Sequence, residues 1–231
     1  MSSMRNPKRM KFDSGVDTGQ SGGGRVQLNF VREILQSKDV LNVGCWTGDF
    51  ENRAGELVGS MISIDIEPEA LEVARKSVPT AEFLEASVLE MPFTDESFDV
   101  VTMWDVIEHI PVNAEARALA EIARVLCQGG YLALSTPNSH LLSRIFDPAY
   151  FLAGHRHYSF EQLSRMLEEA GFTVERVKVF GGWCSILSIL VFYIWKYLFH
   201  RKPGMGWLAR ACEKNEEKTG FNVLFVLARR I

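Results

Sequence analysis

The sequence predicts a doubly wound α/β fold: a mostly parallel sheet with helices on both faces. Three observations carry that reading. Apolar runs of strand length alternate with helical stretches over residues 40–135, a glycine-containing turn follows the first run, and an acidic residue ends the second. Right-handed crossovers in such a sheet bring the C-terminal ends of the parallel strands to one edge, where ligands bind.

The elements follow in order. Val26, Phe30 and Ile34 recur at helical spacing and predict a first amphipathic helix ending near Ser37. Residues 40–43 read as strand one, 49–58 as a helix, 61–66 as strand two, and 68–77 as a helix with Pro68 in its first turn. Residues 82–86 form a weaker third strand and 98–104 a strong fourth. A helix follows over 113–126, broken by Gly129 and Gly130, then a fifth strand over 131–135, stopped by Pro137. Ser159, Phe160, Glu161 and Gln162 have the form of a capping box for a helix through Ala170. Residues 174–180 and 221–228 are strand-like and flank an apolar run over 183–199.

Composition bounds the partners. Of 231 residues, 47% are hydrophobic and 23% charged, enough apolar material for a substantial core. The net charge of -4 gives no electrostatic case for nucleic acid, and none is expected as a partner. Cys45, Cys127, Cys184 and Cys212 are scattered without a CxxC pair, so reduced thiols in a cytoplasmic protein are the expectation, with no zinc site. No apolar run follows the basic residues near the start, so no secretory signal is read there. Residues 1–24, rich in Gly, Ser, Asp and Thr toward their end, are expected to form a flexible segment ahead of one domain over 25–231, with an apolar insertion at about 183–220.

The turn Gly44-Cys45-Trp46-Thr47-Gly48 joins strand one to a helix. Glycine permits close backbone approach to a ligand, and helix N–H groups favour a negative group. The dinucleotide fingerprint is missing, because Trp46 and Asp49 occupy its second and third glycine positions, and there is no Walker lysine. Hydride transfer and ATP hydrolysis are thereby disfavoured. Asp65, about twenty residues on at the end of strand two, is placed to accept hydrogen bonds from ribose hydroxyls, or else to cap the next helix.

Five ordered segments (40–50, 63–74, 83–101, 103–110 and 124–138) resemble the class I S-adenosylmethionine-dependent methyltransferases, in particular the branch containing ubiquinone-biosynthesis O-methyltransferases. Arg124-Val125-Leu126-Cys127-Gln128-Gly129-Gly130-Tyr131-Leu132 is similar to that family's turn into strand five. The resemblance implies a Rossmann-like seven-stranded sheet with the last strand antiparallel. It implies S-adenosyl-L-methionine as cofactor, leaving as S-adenosyl-L-homocysteine. Gly44, Cys45 and Gly48 would line its methionine and ribose portion. Asp65 would hold the ribose, Ile66 would touch the adenine face, Ser87 and Val88 would meet the adenine edge, and Trp104 would lie beside the methionine. Asn42 stands where the family usually has an acid, Trp46 where it has a glycine, and Ser87 where it has an aspartate. Asn42 offers no charge to the cofactor's ammonium, and Trp46 points away from the cofactor or forms a wall against it.

Methyl transfer needs alignment, exclusion of water and, for some acceptors, removal of a proton. His109, after strand four, is a candidate general base, or it and Glu108 orient the following helix. In the ubiquinone-type relatives the set matching Asp105, Glu108 and His109 is associated with a divalent metal; no metal is expected here, where the first carboxylate is shorter. His155 and His157 form a second candidate pair beside the capped helix, and His157 joins His109 as an expected catalytic residue. The 183–199 run reads as a lid over a hydrophobic acceptor, a peripheral membrane contact extending to residue 202, or a buried or dimer helix. The expected activity is methylation of a small, hydrophobic or lipid-linked acceptor, with oxygen favoured, by a monomer or homodimer. A non-catalytic domain of the same fold is the alternative.

Overall fold

A computed structural model describes residues 23–147, 154–198 and 220–231. Seven strands form one sheet in the order β3-β2-β1-β4-β5-β7-β6. They are β1 (Asp39–Val43), β2 (Ser60–Asp65), β3 (Glu82–Glu85), β4 (Phe98–Trp104), β5 (Leu126–Pro137), β6 (Phe172–Phe180) and β7 (Val223–Arg230). β1 to β5 pair in parallel, and β7 runs antiparallel to both β5 and β6. The fold class predicted above, last strand included, is the one observed.

The helices are α1 (Gly23–Leu35), α2 (Asp49–Ala54), α3 (Pro68–Ser77), α4 (Glu115–Val125), α5 (Leu141–Ile145), α6 (Phe160–Glu169) and α7 (Trp183–Leu198). Alternation along the strands separates two cores. Val101, Met103, Leu132 and Leu134 pack with Leu119 and Ile122 of α4 and Leu163 and Leu167 of α6. Val100, Trp104 and Ala133 face the other way, onto Phe30 and Leu35 of α1 and Phe50 of α2.

Element ends moved where local chemistry decided them. α1 begins at Gly23, inside the segment expected to be flexible; the remainder of that segment, residues 1–22, lies outside the described residues. α2 stops at Ala54, shorter than its apolar pattern. β5 starts at Leu126, directly after α4. The capping box holds: Ser159 Oγ accepts from the Gln162 N–H at 3.2 Å.

The apolar run forms α7, and the part of the expected insertion over 199–219 is outside the described residues. Among the described residues no helix is long and apolar enough to cross a membrane. Trp183 packs on Phe146 and Phe221, while Trp183, Leu187 and Ile194 stay more than half exposed. The expectation of reduced thiols is corrected at one position. Cys45 and Cys127 are free, but Cys184 is disulfide-bonded, a pairing set by tertiary approach that leaves no spacing signature in the sequence.

Candidate active site

The chain reverses direction of sheet growth between β1 and β4, and the crevice beyond their C-terminal ends is the switch point where doubly wound sheets bind ligands. Gly44 turns there with φ +77°, and a Cβ at that position would lie 2.3 Å from Val106 Cγ2, so only glycine fits. Gly48 (φ +83°) ends the loop as the N-cap of α2. Between them Trp46 adopts φ +48°, a left-handed backbone conformation that favours glycine, and the residue is 44% exposed. Cys45 contributes only backbone to this loop. Its side chain is buried with Leu71, Ala74 and Phe83, and burial, with Glu51 and Asp65 nearby, pushes its thiol far up, so no thiolate forms.

Asp65 is buried at the end of β2. Its Oδ2 accepts from the Trp46 N–H at 2.9 Å and its Oδ1 from the Glu67 N–H at 3.0 Å, tying the loop and the start of α3 to one carboxylate. Ile66 follows, 56% exposed, an apolar shelf at the crevice rim. Beyond β3, Ser87 is half-buried with its Oγ accepting from the Leu89 N–H, and Val88 is buried. Trp104 closes β4, buried between Phe50 and Phe225.

Beneath the loop lies a polar rung that the sequence reading missed. Ser63, Asn42 and Thr102 occupy paired positions on β2, β1 and β4, all buried. Glu51, also buried, accepts from Asn42 Nδ2 and Ser63 Oγ, both at 2.6 Å, through Oε1. Thr102 Oγ1 donates to Asn42 Oδ1 at 2.7 Å. Burial pushes the Glu51 carboxyl up, against the lowering effect of its Ser63 and Asn42 hydrogen bonds. Spacing could not reveal this group, because Glu51 sits at an ordinary first-turn position of α2.

A second wall beyond β4 is built by β4, β5 and the loop 154–158. Asp105 (φ +52°) accepts from Ser135 Oγ at 2.8 Å, and Glu108 Oε2 accepts from Thr136 Oγ1 at 3.1 Å. Glu108 is buried, and burial with repulsion from Asp105 raises its carboxyl; Asp105 is exposed on its outer side, yet desolvation of its carboxyl raises it too. Arg156 donates to the Ile107 carbonyl at 2.9 Å and the Glu108 carbonyl at 3.3 Å and pairs with Glu115, clamping the loop to the 3-10 turn Ile107–His109 and to α4. Tyr158 OH joins Glu115 at 3.2 Å.

The histidines divide. His109 and His155 rings meet edge to face, with centroids 4.5 Å apart. The outer side of His109 is exposed, yet desolvation and the neighbouring His155 and Arg156 push it down to about 4, so the ring is neutral near pH 7. His157 is held at both nitrogens, Nδ1 by the Asn138 carbonyl at 3.1 Å and Nε2 by Asp147 Oδ2 at 3.0 Å, and its side chain is 2% exposed. That ring anchors its loop. Among the described residues no three His, Cys, Asp or Glu side chains are grouped so as to hold a metal ion, Asp105, Glu108 and His109 included.

Three buried side-chain atoms have no hydrogen-bond partner among the described residues: Glu51 Oε2, Trp104 Nε1 and His155 Nε2. Leaving such atoms unpaired costs about 1–3 kcal/mol each. Glu51 and Trp104 belong to the elements at the β1–β4 crevice, and His155 packs against His109.

Residues 41–134 match the model of a methyltransferase domain. The chain is 33% identical over 136 residues to a probable S-adenosylmethionine-dependent methyltransferase of Mycobacterium tuberculosis, covering 59% of this chain and 49% of that protein. It thus spans about half the length of that relative. It is 28% identical to a demethylmenaquinone methyltransferase of Listeria monocytogenes, covering 66% of this chain and 77% of the relative. Among solved structures, an S-adenosylmethionine-dependent methyltransferase from Methanosarcina mazei superposes with TM-score 0.63 at 18% identity, covering 87% and 97% of the two chains. The [4+2]-cyclase SpnF superposes with TM-score 0.66 at 19% identity, covering 95% and 84%. At such identities the structures share the fold alone. Over the matched segment the chain is thus similar to S-adenosylmethionine-dependent methyltransferases, and it shares the fold of solved structures of that kind.

Proposed function

We propose that the chain, with residues 25–231 acting as one domain, transfers a methyl group from S-adenosyl-L-methionine to a small hydrophobic acceptor, with oxygen as the favoured acceptor atom. The observation that carries this reading is the loop-to-carboxylate lock at the switch point, Trp46 N–H to Asp65 Oδ2, beside buried polar atoms that lack partners. The group fits. Asp65 keeps lone pairs for ribose hydroxyls, Ile66 offers an apolar face to adenine, Ser87 and Val88 stand at its edge, and Gly44 and Gly48 leave the backbone open.

When bound, S-adenosylmethionine supplies an activated methyl group on a sulfonium sulfur. The protein's part is placement and proton handling. His109, neutral near pH 7, accepts a hydrogen bond from an acceptor hydroxyl and aligns its oxygen; a ring of such low basicity orients the hydroxyl more than it strips it. His157, committed at both nitrogens, keeps the loop that presents His155 in place. The exposed apolar residues of α7 suit a lipid-like acceptor or peripheral contact with a membrane. The Listeria relative, named for demethylmenaquinone, supports an acceptor of that hydrophobic kind.

Calorimetric titration with S-adenosylmethionine and, separately, with NAD tests the cofactor reading. Micromolar binding of the first only, weakened at least tenfold by Asp65→Ala, is expected. Transfer of radiolabelled methyl to quinol and phenol acceptors then tests turnover. Binding without transfer to any acceptor favours a non-catalytic domain of this fold.

A further inference from the structure

β5 ends at Pro137, β6 ends at Phe180 and β7 starts at Val223, and Val223 pairs with both of the others across the sheet. α5 and α7 follow Pro137 and Phe180. They therefore leave the sheet at the edge where β1 and β4 end, the edge of the Gly44–Gly48 loop. Both helices are fastened to Phe221. Ser143 of α5 and Asn138 just ahead of it donate to the Phe221 carbonyl at 2.8 and 2.9 Å. The Phe221 ring packs on Trp183 of α7 with centroids 5.6 Å apart, and Phe146, directly after α5, meets Trp183 at 5.9 Å.

What this pair of helices turns outward is apolar. Leu141 and Ile145 lie one turn apart on α5, opposite the buried Ser143, and both are more than half exposed. Trp183, Leu187 and Ile194, at spacings of four and seven, form one exposed stripe along α7, while Ile186 is buried. Five large apolar residues on two helices held together form a patch, unlike apolar residues exposed singly. The charge pattern identifies what covers it. Residues 181–211 contain Lys196, Arg201, Lys202 and Arg210 and no Asp or Glu, in a chain of net charge -4. An apolar helix followed by basic residues complements an anionic bilayer, whose tails take the apolar face and whose phosphates take the cations. A two-fold dimer through α7 would instead set one basic, acid-free segment against its own copy.

We propose that α5 and α7 form a docking face for an anionic lipid bilayer, on which the chain rests through Leu141, Ile145, Trp183, Leu187 and Ile194. This deepens the reading above and rests on it for one point. The crevice lies at the same sheet edge, so a hydrophobic acceptor enters it from the bilayer.

The test is co-sedimentation of the full chain with vesicles of phosphatidylcholine alone or mixed with phosphatidylglycerol, at low and high salt. Wild type is expected to bind the mixed vesicles about tenfold or more tightly than the neutral ones, and to lose that preference in high salt. Ile145→Glu and Leu187→Glu should each weaken binding about tenfold. Ile231→Glu, an equally exposed apolar position at the opposite edge of the sheet, should leave it unchanged. No binding to either vesicle, or equal loss for Ile231→Glu, overturns the proposal. So does self-association in sedimentation velocity that Leu187→Glu abolishes while vesicles fail to compete, which would make a second copy the occupant. Calorimetric titration with S-adenosylmethionine separates the two readings. Cofactor binding without vesicle binding removes this proposal alone, and vesicle binding without cofactor binding leaves the docking face and removes methyl transfer. Thermal unfolding checks each variant; should one not fold, the lipid and salt dependence of wild type with the remaining variant decides.

Discussion

The main-chain N–H of Trp46 donates to Asp65 Oδ2 at 2.9 Å, so the carboxylate that ends β2 also closes the loop that ends β1. One side chain therefore shapes the crevice and stands ready to line it. The second oxygen, held by the Glu67 N–H, adds the start of α3 to the same lock. Of the two readings of Asp65 weighed from sequence, the helix cap is not met: Oδ1 takes the Glu67 N–H just ahead of α3, whose N-terminus has no side-chain cap.

Replacing Asp65 should cost stability as well as affinity. Asp65→Ala leaves two main-chain N–H groups without their acceptor, and a loss of about 2 kcal/mol in urea unfolding is expected. Asp65→Asn keeps one acceptor oxygen and should lose about half as much. Equal stability of the two variants would show that the lock contributes nothing to folding.

Trp46 is held at φ +48°, where a side chain costs about 1–2 kcal/mol and glycine costs little. Trp46→Gly should therefore be more stable than Trp46→Ala, which keeps the backbone strain and still loses the indole. Melting temperatures of the two variants measure this; the reverse order would mean that the loop relaxes when the indole is removed.

Glu51 sets a pH dependence with a defined sign. Its carboxyl is pushed up in the folded protein, so its contribution to stability is complete below the unfolded value, near 4.3, and is lost as pH rises through the folded value. The melting temperature of Glu51→Gln relative to wild type should therefore climb as pH rises above 5. A difference that is flat with pH would place the Glu51 charge in contact with solvent.

His109 acts in the opposite direction. An imidazole lowered to about 4 in the fold, from about 6.5 when unfolded, binds fewer protons folded than unfolded between those values. Stability should fall as pH drops through that window, and His109→Gln should flatten that limb of the curve. Imidazole nitrogen shifts in an NMR titration give the direct check: His109 should stay neutral down to about pH 4.

Arg156 fastens the loop 154–158 by bonding two carbonyls of the 3-10 turn and pairing with Glu115. A lysine has the charge but not the fork. Arg156→Lys should lower stability by about 1–2 kcal/mol and raise KM for the acceptor more than it changes cofactor affinity. An equal effect on both would place Arg156 outside the acceptor site.

Where the signal was local, the sequence carried it. Strand runs, the Gly44–Gly48 turn, the Asp65 spacing and the Ser159 cap each depend on neighbours within a few residues, and each appears as read. What depended on approach between distant elements was not legible. Glu51 and Asn42 are nine residues apart, and only the seating of α2 on β1 makes them one polar group. His155 and His157 look interchangeable in sequence, yet the loop engages both nitrogens of one and leaves a nitrogen of the other buried and unpaired. Cys184 shows no spacing signature for its disulfide. The sequence by itself determined the order of the sheet's elements and the place of its crevice, because hydrophobic period and turn chemistry are short-range. Tertiary structure alone decided which polar atoms inside that crevice were left without partners, because desolvation and hydrogen bonding there depend on how non-neighbouring elements pack.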